Sequence, residues 1–371
     1  MVKNTRQRAK PTTVEGLQHE CSEYFGWQPC RWQSEVAFNL VGRANQISIS
    51  STGSGKSRVF WLPMIYESGL TIIVVPLKSL GQQLADESSR EGFHAVSVTS
   101  ELLGESPGLL DEIRKSAFRT VVLSPEISVD PRFMKIWTDP KFKRKIDHVI
   151  VDEAHCVSQW GRDFRVSYLW LSRLRTVLGD EIPWYLTSAT LHVATVRDVL
   201  NIIGLPKDTS IYRRSNDRPN IHLCVRAMKY TIASRFDLAF LVPPNAKLDD
   251  AEWVRQYIPQ FLVYCNSRAD TEKVAKFLRN RLPADAWGRI VWYHSGMSEP
   301  FRREMIEAFE AGEILGICCT DACGMGLDLH RVKIVVQYRL PKKIDAMVQR
   351  FGRAGRDQSI DAIAILMVEK A

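Results

Sequence analysis

Residues 46–57, QISISSTGSGKS, decide the fold. The first five form an apolar run typical of a buried strand, and a glycine-rich turn ending in Lys56 and Ser57 follows directly. A helical pattern comes next, which gives the strand–turn–helix context of a phosphate-binding loop. In such a loop, backbone N–H groups surround phosphate oxygens, the lysine reaches the β- and γ-phosphates, and the hydroxyl ligates Mg²⁺.

This turn predicts a nucleotide site. The residues assigned to it are Thr52, Gly53, Ser54, Gly55, Lys56 and Ser57. Ser50 stands where the motif usually starts with glycine, and serine is also small. By itself the motif leaves a second interpretation open, a surface Gly/Ser turn that happens to carry a lysine.

A second motif, VIVDEAH at residues 149–155, consists of an apolar strand that ends in two carboxylates. In a parallel sheet they would lie at the same edge as the loop. Asp152 can hold Mg²⁺, and Glu153 can orient and deprotonate an attacking water. An acidic pair at this place can also be a plain helix N-terminus. Together with the loop about 95 residues upstream, it predicts a nucleoside triphosphatase.

Apolar runs of four to six residues alternate with helix-length segments along the chain, which is typical of parallel strands covered on both faces. The predicted strands are 46–50, 71–75, 120–123, 148–151, 184–187, 260–264, 290–293, 314–318, 334–338 and 362–367. Two such series predict an α/β fold with two tandem doubly wound parallel-sheet domains.

The length of 371 residues suits two domains. The polar stretch 212–220 separates them, so we predict domains at 21–212 and 213–371. We also predict a mobile basic arm at 1–20. With 45% hydrophobic and 25% charged residues, the composition excludes a disordered or fibrous chain. The sequence shows neither a membrane-length apolar run nor a secretory signal.

The net charge is +8 and is unevenly distributed. Residues 1–212 carry 25 basic and 23 acidic residues, a net of +2, and residues 213–371 carry 25 and 19, a net of +6. A basic excess in the second half is consistent with a polyanionic partner, although a surplus this small also occurs in proteins that bind none.

Further motifs resemble a known family. GSGKS, DEAH and the TSAT at 187–190 are similar to the motor core of superfamily 2 helicases, and CVSQWGRDFR at 156–165 narrows the resemblance to the RecQ family of DNA helicases. FGW at 25–27 with Arg31 and Gln33 resembles the family's adenine motif, with an Arg–Gln spacing one residue shorter than usual. YCNSR at 264–268, YHSGM at 293–297, TDACGMGLD at 320–328 and QRFGRAGRD at 349–357 resemble its motifs IV, V and VI.

The resemblance implies that both domains are of the RecA-like, P-loop NTPase class, with ATP and Mg²⁺ as cofactors. It implies Lys56, Asp152, Glu153, Arg353 and Arg356 as catalytic residues, with Ser57 and Asp152 on the metal. Further nucleotide contacts would come from Trp27, Arg31, Gln33, Gly326, Asp328 and Gln349. Arg353 and Arg356, three apart at the start of a predicted helix, could serve as arginine fingers; the alternative is a solvated basic turn.

For the nucleic acid, the resemblance implies contacts from Gln159, Trp160, Phe164, Arg165, Asn266, Arg268 and His294. Trp160 and Phe164 suit base stacking, although Phe164 could simply pack beneath its loop. The implied partners are single-stranded and tailed or branched duplex DNA, with no membrane and no structural zinc. Cys318, Cys319 and Cys323 lack a partner pair, which favours buried or incidental thiols over a metal cluster.

The sequence therefore predicts an ATP-dependent DNA helicase that moves 3′ to 5′ and acts in DNA repair or recombination. The alternative is an ATP-gated DNA-binding ATPase or translocase that does not unwind, because the chain ends about fourteen residues after Asp357, without the zinc-binding and winged-helix regions usual in the family. An RNA helicase is disfavoured by the SQWGRDFR loop. A nuclear location is expected, otherwise a cytoplasmic one.

Overall fold

A computed structural model describes residues 8–157, 171–244, 254, 257–323, 329–341, 344–357 and 359–370. The chain divides into two compact units, residues 1–216 and 217–371. Within the described ranges, no helix is both long and apolar enough to cross a bilayer.

The first unit is built on a parallel sheet with the strand order β3-β4-β2-β5-β6-β1-β7. Its strands are β1 (Gln46–Ile49), β2 (Leu70–Val74), β3 (Ala95–Val98), β4 (Thr120–Leu123), β5 (Ile146–Val151), β6 (Trp184–Ser188) and β7 (Ser210–Arg213). Its helices are α1 (Val14–Phe25), α2 (Arg31–Val41), α3 (Arg58–Trp61), α4 (Lys78–Arg90), α5 (Ser100–Glu105), α6 (Leu109–Arg114), α7 (Pro125–Ser128), α8 (Pro131–Trp137), α9 (Pro140–Lys143), α10 (Leu171–Leu178) and α11 (Val193–Ile203).

The second unit contains a parallel sheet with the order β10-β11-β9-β12-β13-β8. Its strands are β8 (Ile221–Ala227), β9 (Phe261–Tyr264), β10 (Ile290–Tyr293), β11 (Gly316–Cys319), β12 (Ile334–Tyr338) and β13 (Ala362–Val368). Its helices are α12 (Arg268–Arg279), α13 (Glu299–Ala311) and α14 (Ile344–Phe351), with 3₁₀ turns at Phe236–Leu241, Ala284–Arg289 and Asp321–Cys323.

Both sheets are covered on both faces, which explains the unbroken apolar runs. Along β2, Ile72 packs into one core cluster of the first unit, and Ile73 packs into the cluster on the opposite face. Along β9, Leu262 and Val263 likewise pack into two different core clusters, on opposite faces of the second sheet. Since alternate residues of a strand point to opposite faces, a strand buried on both sides must be apolar throughout. The predicted α/β class with two parallel sheets is confirmed.

Three strands were not predicted: β3, β7 and β8. Each lies at an edge of its sheet. On β8, Leu223 and Val225 are 73% and 70% exposed, and β7 is largely exposed as well. An edge strand needs no continuous apolar run because one side of it has no neighbouring strand, so its sequence carries a weaker signal.

A buried polar cluster lies where β2 and β5 begin, at the amino-terminal ends of the strands. Glu67 Oε2 is hydrogen-bonded to His148 Nε2, and both side chains are buried. Arg119 donates to the backbone carbonyls of Gly69, Met64 and Glu67. Burial, followed by the charge of Glu67, raises the pKa of Asp147 to about 6, whereas His148 and Arg119 act in the opposite direction.

We expect Asp147→Asn to stabilise the protein at neutral pH. The folded-state pKa of Asp147 exceeds its unfolded value, so the corresponding stability is fully present below about pH 4 and is lost as pH rises through about 6. At pH 7.5 the variant should unfold at a higher urea concentration than the parent, and its free energy of unfolding should be higher by up to about 3 kcal/mol. Near pH 4 the free energies of unfolding of the two proteins should converge. A constant difference across that range would contradict the assignment.

Candidate functional site

The loop after β1 closes around the side chain of Lys56. Lys56 Nζ donates to the carbonyl oxygens of Ser50 and Ser51 at 3.0 and 2.9 Å. Gly53 and Gly55 adopt positive φ values of 78° and 77°, a region that favours glycine. The loop thus has the curled backbone that a phosphate-binding turn requires, with its lysine inside the curl.

The helix that follows the loop is short. α3 ends at Trp61, and a 3₁₀ turn over Leu62–Ile65 continues it. Pro63, which has no backbone N–H, lies within that turn. Buried side chains from Val59 onward anchor the segment in the core, so the carboxyl end of the loop is fixed by packing.

The acidic motif follows β5 at the carboxyl end of the strand. Asp152 is only 9% exposed, and its Oδ1 accepts a hydrogen bond from the backbone N–H of Glu153 at 2.8 Å. Burial and the adjacent Glu153 carboxylate raise the pKa of Asp152 to about 7, against the opposing charge of Lys56. Glu153 itself has a φ of 51°, which is rare for a residue with a side chain. Such backbone strain often marks a functional position.

The acidic motif is docked onto the end of β6, which lies between β5 and β1 in the sheet. His155 Nδ1 lies 2.9 Å from Ser188 Oγ and 3.2 Å from Glu153 Oε2. The backbone N–H of Ala154 donates to Thr187 O at 2.9 Å. Although burial lowers the pKa of His155, Cys156 and Glu153 raise it well above its usual value. His155 therefore joins the DEAH and TSAT motifs directly.

Of the three residues in the predicted adenine motif, Gln33 contacts the loop. Its Nε2 donates to Gly55 O at 2.9 Å, and its Oε1 accepts from the backbone N–H of Cys30 at 2.7 Å. Arg31 is directed elsewhere: its Nε donates to Glu35 Oε1 at 2.9 Å, and its side chain is 75% exposed. Trp27 is half-buried against Phe25, with ring centroids 5.3 Å apart.

In the second unit, the predicted nucleic-acid residues follow β9 and β10. Arg268 Nη2 donates to Ser295 Oγ at 2.8 Å, and His294 Nε2 lies 3.2 Å from Glu272 Oε1. The structure thus brings Arg268 next to the YHSGM turn. Asn266 Nδ2 donates to Leu340 O at 2.9 Å, after the end of β12. All three residues lie at the carboxyl edge of the sheet.

Arg353 and Arg356 follow the end of α14, so the prediction that they begin a helix is wrong. Gly352 and Gly355 interrupt the helix, and Gly355 has a φ of 50°. A Cβ at Gly355 would lie 2.6 Å from Asn220 Nδ2, which leaves room for glycine only. Arg353 is 6% exposed, and Gln349 is half-buried on α14.

Several predicted residues lie outside the described ranges: Gln159, Trp160, Phe164, Arg165, Gly326 and Asp328. Cys318, Cys319 and Cys323 are buried free thiols, and burial raises the pKa of Cys318 and Cys319 well above the usual value. Across the described part of the chain, no group of three or more His, Cys, Asp or Glu side chains is placed to hold a metal ion.

Comparison with known proteins shows similarity to helicases. The model for DEAD/DEAH box helicases matches residues 30–199, and that for the helicase conserved C-terminal domain matches residues 246–358. ATP-dependent DNA helicase RecQ of Pasteurella multocida is 30% identical over 94% of this chain and 51% of its own length. The same enzyme of Haemophilus influenzae is 30% identical over 98% of this chain and 54% of its own length. Over most of its length, this chain is similar to helicases of the RecQ family.

The chain spans about half the length of the curated relatives it matches. Mycobacterium smegmatis helicase Lhr, solved with ssDNA and AMP-PNP, matches 95% of this chain and 47% of its own, with a TM-score of 0.64 and 20% identity. The DEAD-box helicase Mss116, solved with ssRNA, matches 98% of this chain and 76% of its own, with a TM-score of 0.72 and 18% identity. These likenesses show the tandem motor-domain fold. A helicase domain implies ATP binding.

Sequence reasoning missed one buried residue of the second unit, Arg350 on α14. Its Nε donates to Asp321 Oδ1 at 2.7 Å, and its Nη1 donates to Gln337 Oε1 at 2.5 Å. Its guanidinium also lies over the Tyr264 ring, 5.3 Å from the centroid. One side chain thereby ties motif VI to motif V and to β12. The sequence feature that could have indicated Arg350 is its charge within the strongly amphipathic segment that forms α14.

Proposed function

We propose that this chain is an ATP-dependent DNA helicase that couples ATP hydrolysis to 3′-to-5′ movement along single-stranded DNA and to duplex unwinding, in DNA repair or recombination. The observation that carries the proposal is the assembled loop, DEAH and TSAT site of the first unit. Its supporting context is the similarity to proteins named ATP-dependent DNA helicase RecQ.

The ATP chemistry follows from the residues at this site. Backbone N–H groups of the loop and the Lys56 ammonium would hold the triphosphate. Ser57 and Asp152 supply the hydroxyl and carboxylate oxygens that Mg²⁺ prefers, and they lie on the loop and on the buried turn after β5, so the donor set fits that ion. Bound Mg²⁺ neutralises charge on the β- and γ-phosphates. Glu153 then accepts a proton from the attacking water.

Communication with the nucleic acid begins at His155. Because His155 contacts both Glu153 and Ser188, a change in the position of Glu153 on ATP binding is transmitted to the end of β6. A hydrogen-bonded element with two arrangements can bias distant conformations in this way. Hydrolysis would relieve the backbone strain at Glu153. The TSAT segment would then return to the arrangement that it has without nucleotide.

In the second unit, Asn266, Arg268 and His294 would contact the DNA, with Trp160 and Phe164 of the first unit stacking on bases. Arg268 and Asn266 are exposed at the carboxyl edge of the sheet and carry donors suited to phosphate oxygens. The net charge of +6 after residue 212 is consistent with this role. Arg353 and Arg356 would stabilise charge on the γ-phosphate.

Strand displacement on tailed duplexes tests the proposal. A duplex with a 3′ single-stranded tail should be unwound with ATP, whereas a 5′-tailed duplex should not. ATPase activity should rise with single-stranded DNA more than with RNA of the same sequence, and Lys56→Ala should abolish both activities. DNA-stimulated ATPase without strand displacement would instead show a translocase, and stimulation by RNA alone would overturn the assigned substrate.

A further inference from the structure

An arginine outside the predicted adenine motif covers its tryptophan. The Arg58 guanidinium carbon lies 4.6 Å from the centroid of the Trp27 ring. The ring also packs against Phe25, at an interplanar angle of 31°. Trp27 is half-buried and Arg58 is exposed, so the arginine forms the solvent side of this stack.

Arg58 is also joined to the phosphate loop, because it directly follows Ser57. A Cβ built on Gly55 would lie 3.6 Å from Arg58 Cδ and 2.8 Å from Gln33 Nε2. Trp27, Arg58, Gln33 and the loop therefore form one continuous surface with the phosphate site at one end. A nucleotide whose phosphates occupy the loop would have its base over this surface.

Arg31 is poorly placed to stack on a base that lies over Trp27. Its guanidinium pairs with Glu35 at 2.9 Å and with Glu15 at 3.8 Å. The Glu35 hydrogen bond raises its pKa, and the side chain points along the outside of α2. Moving it over a base would break a hydrogen-bonded pair, whereas Arg58 already lies on the aromatic face.

We propose that Arg58, and not Arg31, forms the second face of the adenine slot, with the base held between Trp27 and the Arg58 guanidinium. In the free protein Arg58 closes onto Trp27. On ATP binding it swings outward by the thickness of a base and stacks on the outer face of the adenine. A planar guanidinium suits this role because it stacks on aromatic faces with its charge solvated at the edge. This inference rests on the proposed ATP site and names the residue that binds its base.

Direct nucleotide binding tests the proposal, with the fluorescence of a nucleotide analogue as the readout. Arg58→Ala should weaken ATP binding about tenfold, which corresponds to the ordinary worth of a cation–π stack. Inorganic tripolyphosphate, which has no base, should compete with unchanged affinity for the variant and the parent. Arg58→Lys should recover part of the loss. Arg90→Ala, an exposed arginine on α4, serves as the matched control and should bind ATP normally.

Each other outcome has a definite meaning. Equal loss of ATP and tripolyphosphate affinity would make Arg58 a phosphate ligand and overturn the proposal. Loss of ATP affinity in Arg31→Ala but not in Arg58→Ala would return the role to Arg31. Lys56→Ala should weaken both ligands. If it weakens neither, the proposed ATP site itself is wrong, a result distinguishable from failure at Arg58 alone. Because Arg58 is exposed, thermal unfolding of Arg58→Ala should match that of the parent.

Discussion

Replacing Glu153 by Gln is expected to slow ATP hydrolysis by about 10²–10⁴-fold while leaving the Kd for ATP unchanged. Glutamine has the size of glutamate, and its Oε1 can still accept a hydrogen bond from His155. The contact between His155 and Ser188 is therefore retained, and only the ability to accept a proton from water is lost. Single-turnover hydrolysis together with equilibrium ATP binding measures the two effects separately.

The matched control is Glu112→Gln, which makes the same chemical change on the exposed helix α6 and should leave both quantities unaltered. A parallel loss of binding and hydrolysis in Glu153→Gln would indicate that the residue positions the loop. Hydrolysis at the parent rate would assign the proton-accepting role to a different group. Either result would overturn the assigned role of Glu153.

The buried strands could be predicted because burial on two faces imposes an unbroken apolar run. Thr120–Leu123, Ile290–Tyr293 and Ile334–Tyr338 have the predicted bounds. The edge strand β8 could not be predicted, since its Leu223 and Val225 alternate with polar residues and remain exposed. Register and neighbours also depend on tertiary packing: the sequence does not show that β6 lies between β5 and β1.

The site was predictable where chemistry requires contiguous residues. The loop and DEAH motif hold most of their geometry within a few residues, so their sequences predict where each lies in the fold. Contacts between distant segments carry no such signal. The pairing of Trp27 with Arg58 spans 31 positions, whereas Arg31 was assigned from its resemblance to the family's adenine motif. The bond between His155 and Ser188 likewise joins two motifs that spacing leaves unconnected.

Replacing Arg350 by Ala is expected to destabilise the second unit by about 2–3 kcal/mol. The loss leaves Gln337 Oε1 without its donor, and Gln337 is fully buried. The Asp321 side chain is 66% exposed, so water can replace its lost partner. Loss of the Arg350–Asp321 pair therefore adds less to the destabilisation. Urea unfolding measures the change. Arg303→Ala, which removes an exposed pair with Glu307 on α13, is the control and should change the stability by less than about 0.5 kcal/mol.

A double variant separates the buried polar bond from simple loss of packing. In Arg350→Met/Gln337→Leu both partners of this bond become apolar, so Gln337 Oε1 is no longer a buried acceptor without a donor, and the stability should recover most of the loss. The rate of DNA-stimulated ATP hydrolysis should not recover. Gln337 also donates to Arg339 O at 2.8 Å and to Asn266 Oδ1 at 3.4 Å, so Arg350 and Gln337 connect α14 to a predicted DNA contact. If stability and DNA stimulation recover together, the network acts only in folding; if stimulation alone stays low, Arg350 positions motif VI relative to the DNA-facing edge.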